Sequence, residues 1–395
     1  MSRVEELIKE LCPDGVSRRP LGSLGSRNKG TAMTAAKMKT IGGGGPIRVF
    51  AAGNTVADVA EGAVPEKDVV RSPSIIVKSR GHIGFTYYEQ PFTHKAELWS
   101  YTIDQIDVDQ KFVYYYLLTQ VSKLQGLARA TSVKLPQLGV RDTDALPVPV
   151  PPLDVQREIV QVLDHFAELV AELEAELEAR RTQYDYYAGK LLTVDQDVPR
   201  VRFGSVATIS RGASPRPIQQ FLTDDPGGAP WIKIGDVPAN GKYITRTEQR
   251  VTSDGAAKSR RVMPGDFVLS NSMSFGRPYI SKIEGYIHDG WLAIGGFNDS
   301  YVSDYLYYLL RSAPVQEEFK RRAGSGTVQN LNAEIVRSVE IPLPSREVQE
   351  RVVALLDRFD ALVNDSSIGL PAELNARRRQ YEYYLDKLLT FEEAD

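Results

Sequence analysis

Apolar residues recur at spacings of three or four along a stretch of about forty residues that begins after Pro152. Such spacings place side chains on one face of an α-helix, and Pro152 suits a helix entrance, where its missing N–H costs nothing. At 1.5 Å rise per residue, forty helical residues extend over roughly 60 Å. The stripe consists of Ile159, Val162, Phe166, Leu169, Leu173, Leu177, Tyr184, Tyr187 and Leu191.

The same pattern returns near the end of the chain. Val155 and Val348 are 193 positions apart, whereas Tyr184 and Tyr381 are 197 apart, so the second copy carries four extra residues within 364–371. A long amphipathic helix cannot bury its stripe alone, and we expect the two copies to pack as an antiparallel pair. The second stripe consists of Val348, Val352, Leu355, Phe359, Leu362, Leu374, Tyr381, Tyr384 and Leu388.

The extra residues of the second copy contain two helix breakers. Pro371 lacks an N–H and would clash with the carbonyl four residues back, at a cost of about 3 kcal/mol in a helix interior. Gly369 would destabilise a continuous helix by about a further 1 kcal/mol relative to alanine. We therefore predict that the second helix breaks within 364–370 and restarts with Pro371 in its first turn.

Two stretches outside the helical repeat have the short β-branched and aromatic runs, bounded by Gly and Pro, that are typical of strands. In the first stretch, Leu146–Pro152 is expected to be extended, because each proline disfavours helix in the residue before it. The predicted strands are Ile47–Phe50, Ser74–Val77 and Leu98–Ile103, and the predicted helices are Val4–Leu11 and Lys111–Lys123.

The second stretch repeats the first more faintly. Ser79–Gly84 matches Asn271–Gly276, and the aromatic run that begins at Phe112 resembles the run that begins at Tyr305. The predicted fold is mixed α+β, with two similar α/β globules joined by two long antiparallel coiled-coil helices in a pseudo-twofold arrangement. The predicted divisions are residues 1–152, 153–193, 194–344 and 345–395.

Composition bounds the class of protein. With 395 residues, 42% of them hydrophobic and 25% charged, the chain has the composition of a soluble globular protein with two or three units. It contains neither an 18-residue apolar run nor a basic and apolar leader, so we expect a cytoplasmic protein that does not contact membranes. Cys12 stands alone and the four histidines are dispersed, which predicts no disulfide and no metal site.

The net charge of −3 conceals an uneven distribution. The two helical stretches carry −5 and −4, whereas the two globules carry +4 and +2. Mildly basic globules on acidic helices are compatible with nucleic-acid binding by the globules, provided that the basic residues cluster on one face.

Motifs for catalysis are absent from the sequence. Residues 42–45 are four glycines without the Lys-Ser/Thr pair of a phosphate-binding loop. The chain also lacks the Asn-Pro-Pro-aromatic tetrapeptide that amino-methyltransferases use. We therefore predict no catalytic residues and favour a binding protein over an enzyme.

Several motifs resemble those of the specificity subunit of type I restriction-modification systems, the HsdS family. They are the Leu11-Cys-Pro-Asp-Gly-Val16 start, the helix entrances Val155-Gln-Arg-Glu-Ile-Val and Val348-Gln-Glu-Arg-Val-Val, and the Gln183-Tyr-Asp-Tyr-Tyr and Gln380-Tyr-Glu-Tyr-Tyr runs, each of which ends in Lys-Leu-Leu-Thr.

This resemblance implies two target recognition domains, 1–152 and 194–344, that each read one half of a split double-stranded DNA site. It implies that helices 153–193 and 345–395 space these domains and dock two methyltransferase subunits. S-adenosylmethionine and catalysis would belong to those partners, so that this chain binds no cofactor, and restriction and translocase subunits would supply DNA cleavage.

Candidate DNA contacts follow from side-chain chemistry. Arginine pairs with guanine, asparagine and glutamine pair with adenine, and lysine, serine and threonine often hold phosphate. In the first globule the candidates are Arg27, Lys29, Lys37, Lys39, Arg80, His82, Arg129 and Lys134. In the second they are Arg211, Arg216, Arg260, Arg261, Asn271, Ser274, Arg277 and Gln329.

Two other classes of protein remain open on sequence alone. One is a coiled-coil adaptor that joins two proteins through duplicated domains and does not bind DNA. The other is a DNA-modifying enzyme in its own right, with a catalytic motif of unfamiliar form.

Overall fold

The computed structural model describes residues 3–131, 135–192, 198–237, 241–271, 275–324, 331–365 and 367–394. The chain forms two compact units. The first unit comprises Met1–Glu172 and Leu374–Asp395, and the second comprises Leu173–Glu373. Each unit therefore combines one globule with parts of both long helical stretches.

The helices of the first globule are α1 (Arg3–Leu11), α2 (Ala35–Ile41), α3 (Gln110–Thr119), α4 (Val121–Thr131) and α5 (Val140–Asp144). The first long helix is α6 (Leu153–Leu192). The second globule contains α7 (Phe203–Val206), α8 (Ser253–Ala257), α9 (Ser303–Arg311), α10 (Ala313–Ala323) and α11 (Ala333–Ser338). The second helical stretch consists of α12 (Arg346–Asn364) and α13 (Leu370–Leu388).

The strands of the first globule are β1 (Arg18–Pro20), β2 (Gly25–Lys29), β3 (Ile47–Phe50), β4 (Val56–Val59), β5 (Ser74–Lys78), β6 (Gly84–Tyr88), β7 (Phe92–His94), β8 (Trp99–Ile103) and β9 (Pro147–Pro149). Those of the second are β10 (Arg200–Arg202), β11 (Thr208–Arg211), β12 (Leu222–Thr223), β13 (Ala229–Ile232), β14 (Tyr243–Ile244), β15 (Gln249–Val251), β16 (Arg260–Val262), β17 (Phe267–Ser270), β18 (Pro278–Ser281), β19 (Gly285–Ile287), β20 (Trp291–Gly295) and β21 (Glu340–Pro342).

Seven strands follow the same order in both globules, and the described part of the second globule adds β12, β14 and β16 at the sheet edges. The described residues of the first form the sheets β2-β8-β5-β6 and β4-β3-β7, and those of the second form β11-β20-β17-β18-β14 and β12-β15-β13-β19-β16. The parallel pair β3–β7 has its counterpart in the parallel pair β13–β19. In each globule the proline-rich exit strand pairs with the entry strand, as β1–β9 and β10–β21. The repeat that the sequence indicated between the globules is therefore a repeat of topology.

The long helices follow the sequence prediction. The first is a single helix of 40 residues. The second ends at Asn364 and restarts at Leu370, with Pro371 in the first turn of α13, so the predicted break is confirmed. Ser366, within the break, lies outside the described residues.

Aromatic contacts give the order in which the helices pair. In the first unit, Phe166 of α6 stacks on Tyr384 of α13 with ring centroids 4.9 Å apart. In the second unit, Tyr187 of α6 stacks on Phe359 of α12 at 6.4 Å. The early part of α6 thus pairs with the late helix and the late part with the early helix, which is the order that antiparallel helices have.

One expectation about helices was wrong. The segment Lys111–Lys123 is not one helix, because the chain turns at Gln120 between α3 and α4. The Gln120 N–H donates to the Leu117 carbonyl in a tighter turn, and this change of direction lets Leu124 reach the core, where it is fully buried. Within the apolar stripes of the long helices, Tyr187, Leu355 and Leu362 are 43%, 41% and 39% exposed.

Gly369 closes the turn between α12 and α13. Its φ is +80°, and a Cβ atom there would lie 2.7 Å from the carbonyl oxygens of Ala361 and Leu362. We expect Gly369→Ala to lower the free energy of unfolding by at least about 1 kcal/mol, because an L-residue pays that much in the left-handed region before any clash is counted. Denaturant unfolding measures the change.

The matched control for Gly369 is Gly189, which lies within α6 and has open space around its Cβ position. Gly189→Ala should raise the free energy of unfolding by about 0.5–1 kcal/mol, since alanine favours helix. Equal effects of the two substitutions would contradict this account of the break.

Candidate nucleic-acid interface

A buried glutamine fastens each globule to its long helix. In the first unit, the Gln156 side chain accepts from the Asp109 N–H (2.8 Å) and donates to the carbonyls of Asp107 (2.9 Å) and Pro151 (2.7 Å). Gln156 is fully buried. These bonds satisfy three backbone groups at the point where the globule meets α6, so the glutamine sets how that helix leaves the globule.

The second unit repeats this contact with Gln349 at the start of α12. Its side chain accepts from the Val302 N–H (2.8 Å) and donates to the carbonyls of Ser300 (2.9 Å) and Pro344 (2.9 Å). Gln349 is 1% exposed. We call Gln156 and Gln349, with the backbone groups that they bond, the glutamine latches.

A tyrosine–aspartate contact reinforces each latch about two turns further along the helix. The Tyr115 hydroxyl of α3 donates to Asp164 of α6 at 2.5 Å, and the Tyr308 hydroxyl of α9 donates to Asp357 of α12 at the same distance. Burial, and then the carboxylate, raises the pKa of each tyrosine. A lysine ammonium group also pairs with each carboxylate. Lys111 lies 2.9 Å from Asp164, and Lys242 lies 3.8 Å from Asp357. The globules are thus held rigidly against their helices.

In the first unit, the structure gathers three candidates, Arg80, His82 and Arg129, around one loop. Arg80 forms an antiparallel bridge with Gln137, whose N–H donates to the carbonyl of Ala128, next to Arg129. Arg80, His82 and Arg129 are all exposed. Because Arg80 and His82 on this loop and Arg129 on the adjacent α4 are exposed, this region presents donors to an anionic surface.

The corresponding loop of the second unit is built in the same way. The Leu138 N–H donates to the Ser79 carbonyl (2.8 Å) in the first unit, and the Leu331 N–H donates to the Asn271 carbonyl (2.9 Å) in the second. Gly81 and Gly276 have φ values of +75° and +70°, which glycine adopts readily in tight turns.

A cluster of three arginines adjoins Asn271 in the second unit. The Arg216 guanidinium pairs with the Asp289 carboxylate (2.9 Å), and the Asp289 carbonyl accepts from Arg211 (3.3 Å) and from the Asn271 amide (2.9 Å). Arg260 donates to the Arg211 carbonyl (3.2 Å). We call Arg211, Arg216, Arg260 and Asp289 the arginine cluster.

Asp289 organises this cluster and stays charged. Burial alone would raise the pKa of its carboxyl, but hydrogen bonds from its own backbone, Ser214 and Arg216, together with the charge of Arg216, hold that pKa below its usual value. Of the three guanidiniums only that of Arg216 pairs with the carboxylate, and the four side chains of the cluster together carry a net charge of +2. The cluster can therefore hold a phosphate and still has donors for a base edge.

The remaining candidates lie elsewhere. Arg27 and Arg261 each pair with a carboxylate of their own unit, Asp144 (2.8 Å) and Glu284 (2.9 Å). The exposed residues Lys37 and Lys39 lie on α2 and Lys29 ends β2, whereas the Arg277 guanidinium lies 5.5 Å from the Tyr279 ring. Lys134, Ser274 and Gln329 lie outside the described residues.

Reasoning from sequence missed Asp289 and both glutamine latches. Asp289-Gly290 follows β19 and forms an Asp-Gly turn signal, which could have indicated a loop between two strands. The glutamines belong to the repeated helix entrance, but nothing local distinguishes a buried glutamine from an exposed one.

Two features of the structure bear on metal binding and on membrane insertion. Within the described ranges, no group of three or more His, Cys, Asp or Glu side chains could hold a metal ion. Among the helices that the structure describes, none combines the length and apolar character needed to cross a bilayer.

Comparison with protein families assigns both halves of the chain. Residues 13–180 and 196–376 match the type I restriction modification DNA specificity domain. The chain is 29% identical over 300 residues to the specificity subunit of a type I restriction enzyme from Escherichia coli, a match that covers 71% of this chain and 70% of that protein. It is 30% identical over 294 residues to a putative type I specificity subunit from Haemophilus influenzae, covering 72% of this chain and 73% of that protein.

Solved structures share the fold. The S subunit of a type I restriction-modification system from M. genitalium superposes with a TM-score of 0.55 at 19% identity, over 95% of this chain and 96% of that one. A chain from a study of complex assembly and conformational transition in a type I system gives a TM-score of 0.64 at 17% identity, over 95% and 98%.

The duplicated globules on long paired helices, together with these matches, define a DNA specificity subunit and not a catalytic one. The chain belongs to the type I restriction modification DNA specificity family, and it is the specificity subunit of such a system.

Proposed function

We propose that each globule reads one part of a two-part double-stranded DNA target. Residues 1–152 and 194–344 act as the two target recognition domains, and residues 153–193 and 345–395 act as the spacer helices. One observation carries this proposal. The two globules share a strand order and equivalent glutamine latches, but they present different side chains on equivalent loops.

The loops that hold Arg80 and Asn271 are the proposed centres of base reading. Arg80 in the first unit suits guanine. In the second unit Asn271 has the amide that suits adenine, but it is 4% exposed and donates to the Asp289 carbonyl, so the exposed arginines beside it supply donors for the base edge as well as for phosphate. The lysines of the first globule bind phosphate and set the register. The remaining proposed contacts are Arg27, Lys29, Lys37, Lys39, His82, Arg129, Lys134, Arg261, Ser274, Arg277 and Gln329.

The proposed partners are two methyltransferase subunits that dock on the helices and bind S-adenosylmethionine, so that this chain contributes specificity and they contribute chemistry. Restriction and translocase subunits join the same complex, which acts in the cytoplasm. The mildly basic globules and the acidic helices support a division in which globules meet DNA and helices meet protein.

Exchanging the second globule tests the proposal. A chain in which residues 194–344 are replaced by the corresponding globule of another specificity subunit should direct methylation to a site with one part changed and the other retained, since each globule reads alone. Sequencing of modified bases in cells with either chain gives the result. A change in both parts, or in neither, contradicts independent reading.

Arg216 offers a test of the proposed phosphate contacts. Its side chain is 80% exposed, and Arg216→Ala should reduce the slope of log affinity against log salt by about 0.9, the value for one phosphate contact. DNA binding by the assembled methyltransferase complex is measured between low and moderate salt. The matched control is Arg321→Ala, at a 69% exposed position where the arginine pairs with Glu318. Equal slopes for the wild-type, Arg216→Ala and Arg321→Ala chains would contradict a phosphate contact of Arg216.

A further inference from the structure

His288 adjoins the arginine cluster of the second globule. It follows Ile287, the last residue of β19, and precedes Asp289. Its partly buried ring packs beside two buried tryptophans, with its centroid 6.1 Å from that of Trp231 and 6.0 Å from that of Trp291. The ring therefore has a fixed place between the core of the globule and the cluster.

One hydrogen bond of the His288 ring defines its tautomer. The Gly290 N–H donates to His288 Nδ1 at 2.9 Å. A backbone N–H can only donate, so Nδ1 carries no proton here, and the neutral imidazole carries its proton on Nε2. A protonated imidazole has an N–H at both positions and would set two donors against each other. The bond therefore exists only while the ring is neutral.

The same bond closes the turn that carries Asp289. The Trp291 N–H donates to the His288 carbonyl (3.1 Å), so residues 288–291 form a turn, and the bond to the ring holds the first three of them. The ring lies directly against Gly290, where a Cβ atom would lie 2.5 Å from His288 Cε1. The φ of Gly290 is outside the left-handed region, so the histidine ring, and not the backbone conformation, requires glycine at this position.

The turn fixes the contacts of the arginine cluster. The Asp289 carbonyl accepts from Arg211, and the Asp289 carboxylate pairs with Arg216. Gly212, the residue after Arg211, packs so closely against the turn that a Cβ atom there would overlap the His288 carbonyl oxygen. The Gly212 N–H also donates to the last carbonyl of the turn (2.8 Å). A movement of the turn would therefore shift the partners of two arginines together.

The surroundings of the ring keep it neutral at pH 7. Burial lowers the pKa of His288 below its usual value, and the negative charge of Asp289 partly opposes this shift. The ring therefore takes up a proton only below the pH at which an exposed histidine does, about 6.5. The charged residues on the elements around the ring are Asp289 of the turn, Arg211 and Arg216 on and after β11, Arg260 of β16, and Lys233, which follows β13.

The first globule uses the corresponding histidine differently. His94 is the last residue of β7, the counterpart of β19, and it is fully buried. Its ring contacts the Lys95 carbonyl (3.3 Å) and the Ser100 hydroxyl (3.2 Å). The ring bond that closes a turn therefore belongs to the arrangement of the second globule, which holds the arginine cluster.

We propose that His288 is a positioning residue for the arginine cluster. Its neutral ring, through Nδ1, holds the Asp289-Gly290 turn that organises the cluster, and protonation of the ring releases this turn and weakens DNA binding by the second globule. This inference rests on the proposed function, which assigns DNA contacts to the cluster. His288 acts through Asp289 and not by a contact of its own with DNA.

Asparagine and glutamine at position 288 separate the acceptor from the rest of the ring. Asparagine Oδ1 is two bonds from Cβ, as Nδ1 is, and asparagine favours this kind of turn. The glutamine oxygen is one methylene further away. His288→Asn should keep the DNA affinity of the assembled methyltransferase complex within about twofold of the wild-type value at pH 7.5, whereas His288→Gln should lower it about fivefold or more. The probe is duplex DNA that carries the site methylated by this complex, and equal affinities for the two variants would overturn the inference.

The pH profile gives a readout that a merely structural role would not change. As pH falls from 8 to 5, the wild-type complex should lose affinity relative to the His288→Asn complex, by up to about tenfold per pH unit once pH is below the folded-state pKa of His288. The other three histidines are common to both chains, so their contributions cancel in this ratio. A ratio that stays constant from pH 8 to pH 5 would overturn the release by protonation.

The tautomer can be measured without DNA. In the full chain labelled with nitrogen-15 at its four histidines, the signals that His288→Asn removes are those of His288. At pH 7.5 they should show Nδ1 without a proton and Nε2 with one. A proton on Nδ1, alone or in a charged ring, would overturn the inference whatever the DNA measurements give.

The outcomes separate this inference from the proposed function. A wild-type complex that binds its methylated site no better than unrelated DNA overturns the proposed function. A complex that binds its site equally well in the wild-type and His288→Gln chains overturns only the role of His288. Gly290→Ala is the second variant if His288→Gln does not fold, because its methyl group displaces the ring, and it should lower DNA affinity to a similar degree. Circular dichroism of each chain establishes that it is folded.

Discussion

Gln156→Leu should lower the free energy of unfolding of the first unit by roughly 3 kcal/mol or more, because a buried polar group left without a partner costs about 1–3 kcal/mol. The substitution leaves the Pro151 carbonyl without its buried hydrogen bond, and the Asp109 N–H and Asp107 carbonyl without partly buried ones. Leucine supplies comparable volume but no donor or acceptor. Denaturant unfolding, followed by circular dichroism, measures the loss.

The matched control is Gln161→Leu, an exposed glutamine on the same helix. A surface change of this kind usually alters stability by less than about 0.5 kcal/mol. Equal effects at positions 156 and 161 would show that the latch contributes little. The same substitution at Gln349 should destabilise the second unit to a similar degree, since the three bonds there are equivalent.

The free energy of unfolding should fall steeply with pH in the alkaline range. Burial raises the pKa of many tyrosines, among them Tyr115 and Tyr308, and it raises the pKa of Tyr305 to about 12. In the unfolded chain tyrosine ionises near pH 10. The stabilisation is therefore complete below about pH 10, and it falls by about 1.4 kcal/mol per pH unit for each tyrosine that ionises only on unfolding, until pH passes the folded pKa.

Unfolding free energies between pH 8 and pH 11.5, with phenolate absorbance recorded in parallel, measure this loss. In the Tyr115→Phe and Tyr308→Phe double variant, the free energy of unfolding should fall less steeply above pH 10, because two tyrosines with raised pKa are removed. It should also be less stable at neutral pH, because the hydrogen bonds to Asp164 and Asp357 are lost. A dependence as steep as that of the wild-type chain would contradict the role of these two groups.

The glutamine latches connect stability to specificity. A reading loop is useful only if its orientation on the helix is constant, and each latch bonds backbone groups at the junction between globule and helix. The tyrosine–aspartate contact, about two turns further along the helix, opposes rotation of the globule about that junction. We therefore expect variants that weaken a latch to affect recognition even where no DNA-contacting residue is changed.

The arrangement of charge explains why single residues were hard to rank from sequence. Arg27 and Arg216 are both arginines near turns, but Arg27 pairs with Asp144 on one edge, whereas Arg216 belongs to a cluster with an excess of cations. The difference arises from the partners that β-sheet pairing brings near each guanidinium. Those partners are 117 and 73 residues away along the chain.

The sequence by itself determined the long helices, their break and their antiparallel order. Helical periodicity is local, and the costs of Pro371 and Gly369 act on the backbone within one or two turns, so they can be read without knowledge of distant neighbours. The repeat of the globules could also be predicted from the sequence, because equivalent folds keep equivalent turns. The specificity family followed from these motifs together.

Only the tertiary structure decided which polar residues are buried and which apolar faces stay open. Gln156 and Gln161 lie on the same helix, and their difference arises from backbone groups of the globule that fold against one of them. Leu355 continues an apolar stripe as regular as that of Val162, but Val162 packs against the core of the first unit, whereas Leu355 is 41% exposed. Burial depends on contacts between segments far apart in the chain, and a local pattern does not contain that information.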